Sequence, residues 1–266
     1  MSTGNALLWR IESDPAFPAS YLFGTMHSAG PVSLKYIPRI EPYIRQCRAY
    51  YGETDIGQLM ETSMSVPMIQ WNGLRSLLAP AAYAKASHFL KRRFGLVLDD
   101  WQHMPPLFLS ALIHEKYLAR TGGEPLDVQL WHFARREGLE MGGVESLDRQ
   151  LEIYKKIPFQ VQLFQLKNQL KSLSASFRHL KKLEEAYANE ELSRLYKYSR
   201  RQLGGMRNLM FDQRNREMAV FIRNILGERR QASFFAIGAA HLPGSKGILR
   251  KLKAGGLTLR PISPPK

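Results

Sequence analysis

The chain is poor in the residues that sulfur and covalent chemistry would need. A single cysteine, Cys47, stands among 266 residues, which excludes an internal disulfide framework and fits a reducing compartment. It sits beside a strand-like run with no histidine nearby in sequence, so a plain buried thiol is expected. A Gly-rich phosphate loop, a Ser-centred nucleophile elbow and a Cys-x-x-Cys pair are all missing. His114-Glu115 is followed by Lys116 and Tyr117, so it does not make H-E-x-x-H. Acyl-enzyme chemistry therefore has no named nucleophile. No stretch approaches the roughly 20 apolar residues that cross a bilayer. No basic segment followed by an apolar one opens the chain, so a cytoplasmic setting is expected, or an exported one if a leader has been removed.

Acidic residues are missing from the last part of the chain. Residues 231–266 hold 6 Lys+Arg and no Asp or Glu, residues 155–230 hold 17 against 7, and residues 1–154 hold 15 against 16. The net charge of +15 thus belongs to the C-terminal part, which fits an acidic partner or an anionic surface. No nucleic-acid motif accompanies it.

What is present is an ordinary globular composition, 44% hydrophobic and 23% charged, long enough for a proper core. Residues 6–12 and 20–24 predict a strand pair and residues 48–53 a further strand. Residues 34–46 have helical spacing interrupted by Pro38 and Pro42. Helices are predicted over 75–94, 104–120 and 126–137, the last closed by Gly138. A short strand follows over 140–145, with a break expected at Gly142-Gly143. Long basic helices fill about 158–227, broken at Gly204-Gly205, and the chain ends in strand 233–237, helix 245–254 and strand 257–262. This order predicts an α/β (α+β) fold: one domain over 1–266, its mixed sheet completed by N- and C-terminal strands. A helical insertion or cap over about 158–230 interrupts a core of about 1–157 and 231–266.

One pattern occurs twice. Residues 24–30 and 238–244 both read G-x-x-H-x-x-G, and both follow an apolar, aromatic run. A glycine at a strand end permits a sharp turn, so His27 and His241 are expected to face one cleft at the sheet edge, where open α/β sheets place ligands. Two imidazoles suit a divalent metal but need a carboxylate beside them. Glu53, ending a strand after Gly52, is the first candidate. Glu145 and Asp127 come next, although Asp127 also suits a helix N-terminus electrostatically. Arg214, beside Asn215 on a helix, is a candidate for stabilising an oxyanion. His88, His103, His114, His132 and His179 have no matching partner and are expected to be structural or exposed.

The run from Leu7-Leu8-Trp9-Arg10-Ile11 to Gly24-Thr25-Met26-His27 resembles the opening of TraB/GumN family proteins. Glu53, Leu126-Asp127, Gly143-Val144-Glu145-Ser146, Arg214-Asn215 and Phe234 through Gly244 continue the likeness, in order, over nearly the whole chain. Ile237 and Val144 stand where Val and Leu are more usual. The resemblance implies a fold related to the erythromycin-esterase/ChaN-like group and a relationship to Tiki metalloproteases. It further implies a metal set of His27, Glu53 and His241 holding manganese or cobalt, zinc being a further option, with Arg214 and Asn215 in support.

The expected function is a metal-dependent, peptidase-like hydrolase acting on a peptide or small-molecule substrate. Water bound to the metal attacks, Glu145 or Asp127 takes the proton, and Arg214 stabilises the oxyanion. The alternatives are a non-enzymatic binding protein with a basic helical cap, and a metal-free esterase-like hydrolase using His27 with Glu53.

Overall fold

The apolar and aromatic runs all pair into one sheet. The computed structural model describes residues 6–61, 71–120, 122–203, 206 and 208–263. Six strands lie in the order β4-β3-β5-β2-β1-β6: β1 (Leu8–Glu12), β2 (Ser20–Thr25), β3 (Ala49–Thr54), β4 (Glu140–Glu145), β5 (Ser233–Gly238) and β6 (Thr258–Ile262). β4, β3, β5 and β2 are parallel, whereas β1 is antiparallel to both β2 and β6. The expected α/β class with a mixed sheet completed by the terminal strands is therefore the observed one.

Neighbouring residues of a strand point to opposite faces, and the central aromatics use both. Tyr50 stacks on Phe234 with ring centroids 5.7 Å apart, and Tyr51 on Phe235 at 5.4 Å. Tyr51 also meets Phe221 edge-on. One buried apolar cluster extends from Ala6 to Leu259. Cys47 is buried, as its setting predicted, and that burial pushes its thiol up to about 12.

The helices follow their sequence signals with local shifts. α1 (Pro31–Leu34) and α2 (Ile37–Ile44) share the region read as one interrupted helix, and α3 (Ile56–Glu61) was not anticipated. Pro38 occupies the first turn of α2, where its missing N–H costs nothing, and Pro42 lies inside, two residues before the helix ends. The helix expected from 75 begins only at Pro80 as α4 (Pro80–Phe94), after a 3₁₀ turn at Leu74–Ser76. α5 (Pro106–Leu118) and α6 (Leu126–Arg136) stand where expected. Gly142-Gly143 do not break β4, because both keep ladder register with Tyr51 and Gly52 of β3. α7 (Leu147–Lys155), also unanticipated, is capped by Ser146, whose side chain accepts from Arg149 N.

The basic helical region resolves into α8 (Phe159–Lys171), α9 (Leu173–Ala188), α10 (Leu192–Leu203), a π-helical turn (Asn208–Gln213) and α11 (Arg214–Glu228). The break expected at Gly204-Gly205 lies outside the described residues. α12 (Ile248–Ala254) precedes β6. Among the described residues no helix is long and apolar enough to cross a membrane.

Candidate functional site

Four parallel strands bring four carboxyl ends to one sheet edge, the crevice in which open α/β sheets bind ligands. β2 and β5 are neighbours, with Gly24 opposite Ile237 and Thr25 opposite Gly238, so the two repeated motifs leave the sheet side by side. Gly24 permits this closeness: a Cβ there would lie 3.0 Å from Ala239 Cβ and 3.2 Å from Leu242 Cδ2. Gly238 plays a similar part toward Glu53. Its N–H donates to Glu53 Oε2 at 2.8 Å, and a Cβ on it would lie 2.9 Å from that oxygen.

His27 follows β2 in a loop whose Ser28 carbonyl accepts from Leu126 N at 3.0 Å, seating the start of α6 beside it. Asp127 in that first turn accepts the His27 Nδ1–H, 2.9 Å to Oδ2 and 3.1 Å to Oδ1. The His27 side chain is 52% exposed. Partial burial works against its protonation, but the Asp127 hydrogen bond and charge, with smaller help from Glu115 and Glu53, raise its pKa overall.

His241 ends a 3₁₀ turn, Ala239–His241, and its side chain is only 7% exposed. Its Nδ1–H donates to Asn215 Oδ1 at 2.6 Å. The Asn215 amide is oriented in turn by donation from Nδ2 to Lys246 O at 3.0 Å, which leaves Oδ1 for the imidazole. The bare Nε2 then faces Glu53 Oε1 at 3.9 Å. Burial depresses the His241 pKa to about 4, against the pull of Glu53 and with the help of Arg214. The ring is neutral at pH 7, with the Phe211 ring 4.7 Å away.

Arg214 opens α11 directly after the π-helical turn, a local widening of the helix that recurs at functional sites. Its buried guanidinium lies between two carboxylates. Nη2 reaches Glu53 Oε1 at 2.5 Å, while Nε and Nη2 reach Glu145 at 2.9 and 2.5 Å. Burial alone would raise the pKa of Glu53. Arg214, His241 and the Gly238 N–H outweigh it and hold the carboxyl near about 2. Glu145, 2% exposed, keeps a raised pKa because burial there exceeds the Arg214 contribution.

Five of the seven sequence-derived residues thus form one bonded group, Asn215–His241 and Glu53–Arg214–Glu145, linked across the 3.9 Å contact. His27 and Asp127 form a second pair. Four neighbours escaped sequence reasoning: Phe211 against His241, Tyr154 with a pKa influenced by Arg214, Glu53 and Glu145, and the pair Lys246–Asp212 at 2.6 Å. Only the distance of Lys246 from His241 along the chain hinted at a shared loop. His114, expected to be structural, bonds Ser176 at 3.0 Å.

The donor chemistry of His27, His241 and Glu53 suits a divalent cation: two imidazoles with Nδ1 pinned by an oxygen acceptor and Nε2 bare, plus an ionised carboxylate. The spacing is not that of a closed cage. Among the described residues no three His, Cys, Asp or Glu side chains are grouped closely enough to hold a metal ion, and both Glu53 oxygens already accept from Arg214 and Gly238.

Fold and site define an α/β protein with paired histidines and carboxylates at the carboxyl edge of a mixed sheet. The chain belongs to the TraB/PrgY/gumN family, whose model matches residues 7–261. It is also similar to the metalloprotease TIKI2 of Danio rerio, at 24% identity over 98% of this chain and 61% of that protein. The chain spans about 61% of the length of that relative. No solved structure matches.

Proposed function

We propose that this protein is a metal-dependent hydrolase of peptide bonds, with His27 Nε2, His241 Nε2 and Glu53 as the metal ligands. The observation that carries the reading is the matched state of the two histidines. Each donates Nδ1–H to a fixed acceptor, Asp127 or Asn215, and keeps Nε2 for a ligand. The similarity to a metalloprotease supports the same class. A bound manganese, cobalt or zinc ion would polarise the scissile carbonyl and lower the pKa of water, to ~7 in the best zinc cases.

The protein's own groups do the rest. Asp127 and Asn215 orient the imidazoles. Arg214 holds Glu53 and Glu145 together, and with this edge of the guanidinium engaged, a positioning role is favoured over direct oxyanion contact. Water oxygen adds to the carbonyl carbon, its proton passes to a carboxylate and on to the leaving nitrogen, and the C–N bond breaks. Asp127, 30% exposed, suits the proton transfer better than Glu145, which at 2% exposed is nearly inaccessible to water.

A second reading is favoured by the open ligand spacing and the occupied Glu53: His27, activated by Asp127, acts as a metal-free general base toward water. One experiment separates the two. Protein purified without chelator is assayed for bound metal and for cleavage of a peptide library, with Mn, Co or Zn added and after chelation, beside His27→Ala and His241→Ala. Metal-stimulated cleavage lost in both variants is expected. Full activity after chelation transfers the function to the His27–Asp127 pair, and unchanged metal content and cleavage in both variants overturns the site.

A further inference from the structure

A pocket of about 250 Å³ opens beside the site, lined by Leu107, Phe108 and Ala111 of α5, Tyr154 of α7, and Met206 and Met210. It is tied to the candidate site through the π-helical turn, which supplies Met210 to the pocket and Phe211 to His241. The Tyr154 hydroxyl is influenced by the charges of Arg214, Glu53 and Glu145. Met210 precedes Phe211, whose ring lies against His241. Whole small-molecule sites occupy about 300–1,000 Å³, so this one suits a single side chain of a longer substrate.

Its chemistry narrows the occupant. Ser110, His114 and Gln165 add uncharged polar groups to its wall, but among the described residues no Asp, Glu, Lys or Arg lines the pocket, in a protein of net charge +15. His114 on its wall is kept neutral, its pKa pushed down to about 4 by burial. Two methionines supply unbranched, polarizable walls that adapt to differently shaped apolar groups. We infer that this pocket is a specificity subsite that receives one large apolar side chain, leucine, methionine or phenylalanine, of a peptide substrate held across the His27–His241 edge. This rests on the peptide-hydrolase reading above.

The test uses the full chain. Ala111 is exposed on α5, so Ala111→Trp fills the pocket mouth without entering the core, and Met210→Ala widens the pocket. Position-scanned peptides with added Mn are expected to show one subsite where leucine exceeds glycine in kcat/KM by about tenfold or more, the scale of apolar-pocket discrimination. Ala111→Trp should remove that ratio, and Met210→Ala should move the optimum toward larger aromatics. An absent preference, or one unchanged in both variants, overturns the subsite while leaving peptide hydrolysis standing. If no peptide is cleaved under any metal condition, the hydrolase reading fails and binding decides the pocket. Labelled methionine methyl NMR then follows titration with a capped glycine heptapeptide carrying a central leucine. Shifts at Met206 and Met210, absent with the all-glycine peptide and lost in Ala111→Trp, support the pocket; no shift overturns it.

Discussion

At the residue scale the decisive object is Arg214. Its buried guanidinium is shared by the buried Glu145 and by Glu53, whose side chain is 28% exposed, and such a group is costly to leave half-made. Arg214→Met keeps length and apolar bulk but strands Glu53 and Glu145 together. A loss of about 3–5 kcal/mol in urea unfolding is expected, the range for breaking a buried pair from one side. The histidines set the response to acid. His241 and His114 have folded pKa values near about 4, below the ordinary 6.5, so the unfolded chain takes up their protons first. Their contribution is complete above pH 6.5 and is lost as pH falls toward 4. Glu53, lowered from 4.5 to about 2, extends the loss below pH 4.5, while His27 and Glu145, whose folded pKa values are raised, oppose it. The urea midpoint of chelated protein should therefore drop between pH 7 and 4, and the slope should flatten in His241→Gln. The histidines, Glu53 and their neighbours were legible in sequence because each ends a strand after a recognisable run. Asn215 and Asp127 were candidates too, but their pairing with the imidazoles was not legible: Asn215 lies 26 residues from His241, and Asp127 lies 100 from His27.

At the scale of elements, the site depends on how α11 is launched. The π-helical turn before it places Arg214 and Asn215 on consecutive positions facing the sheet edge, and its Asp212 is pinned to Lys246 of the loop after β5. Asp212 is buried, and its Oδ1 has no hydrogen-bond partner among the described residues. Removing the lysine leaves an unpaired buried carboxylate next to Phe211 in the chain. Lys246→Met should cost about 1–3 kcal/mol, the penalty for an unsatisfied buried group. Adding Asp212→Asn should recover part of it, a coupling read from a double-mutant cycle in chemical denaturation. Equal, additive losses would mean that the bond does not hold the turn. Sequence periodicity located the strands and most helices, since apolar spacing is a local property. It missed α3 and α7, which are short and start beside the site, and it could not foresee the π-helical turn that buries Phe211 and Asp212, because apolar spacing reports the ordinary helical period.

At the scale of the whole molecule, ligand binding and folding are linked through the sheet edge. The candidate ligands come from three strand ends far apart in sequence, so the unfolded chain cannot present them together, and any ion that binds the trio binds only the folded state. Such binding adds RT ln(1 + [L]/Kd), about 2.7 kcal/mol at a concentration of 100 times Kd. For a chain of this size each kcal/mol moves the unfolding temperature by roughly 2–4 °C, so saturating Mn or Co should raise the Tm of chelated protein by about 5–10 °C. His27→Ala and His241→Ala should each suppress the rise, whereas Met210→Ala should keep it, because the apolar pocket donates no ligand. Binding has to gather donors that are not yet a cage and to compete with Arg214 for Glu53, so the shift should saturate at higher metal concentration than in a pre-formed centre. A Tm unmoved by Mn, Co and Zn would remove the metal from the mechanism and leave the His27–Asp127 pair as the catalytic base.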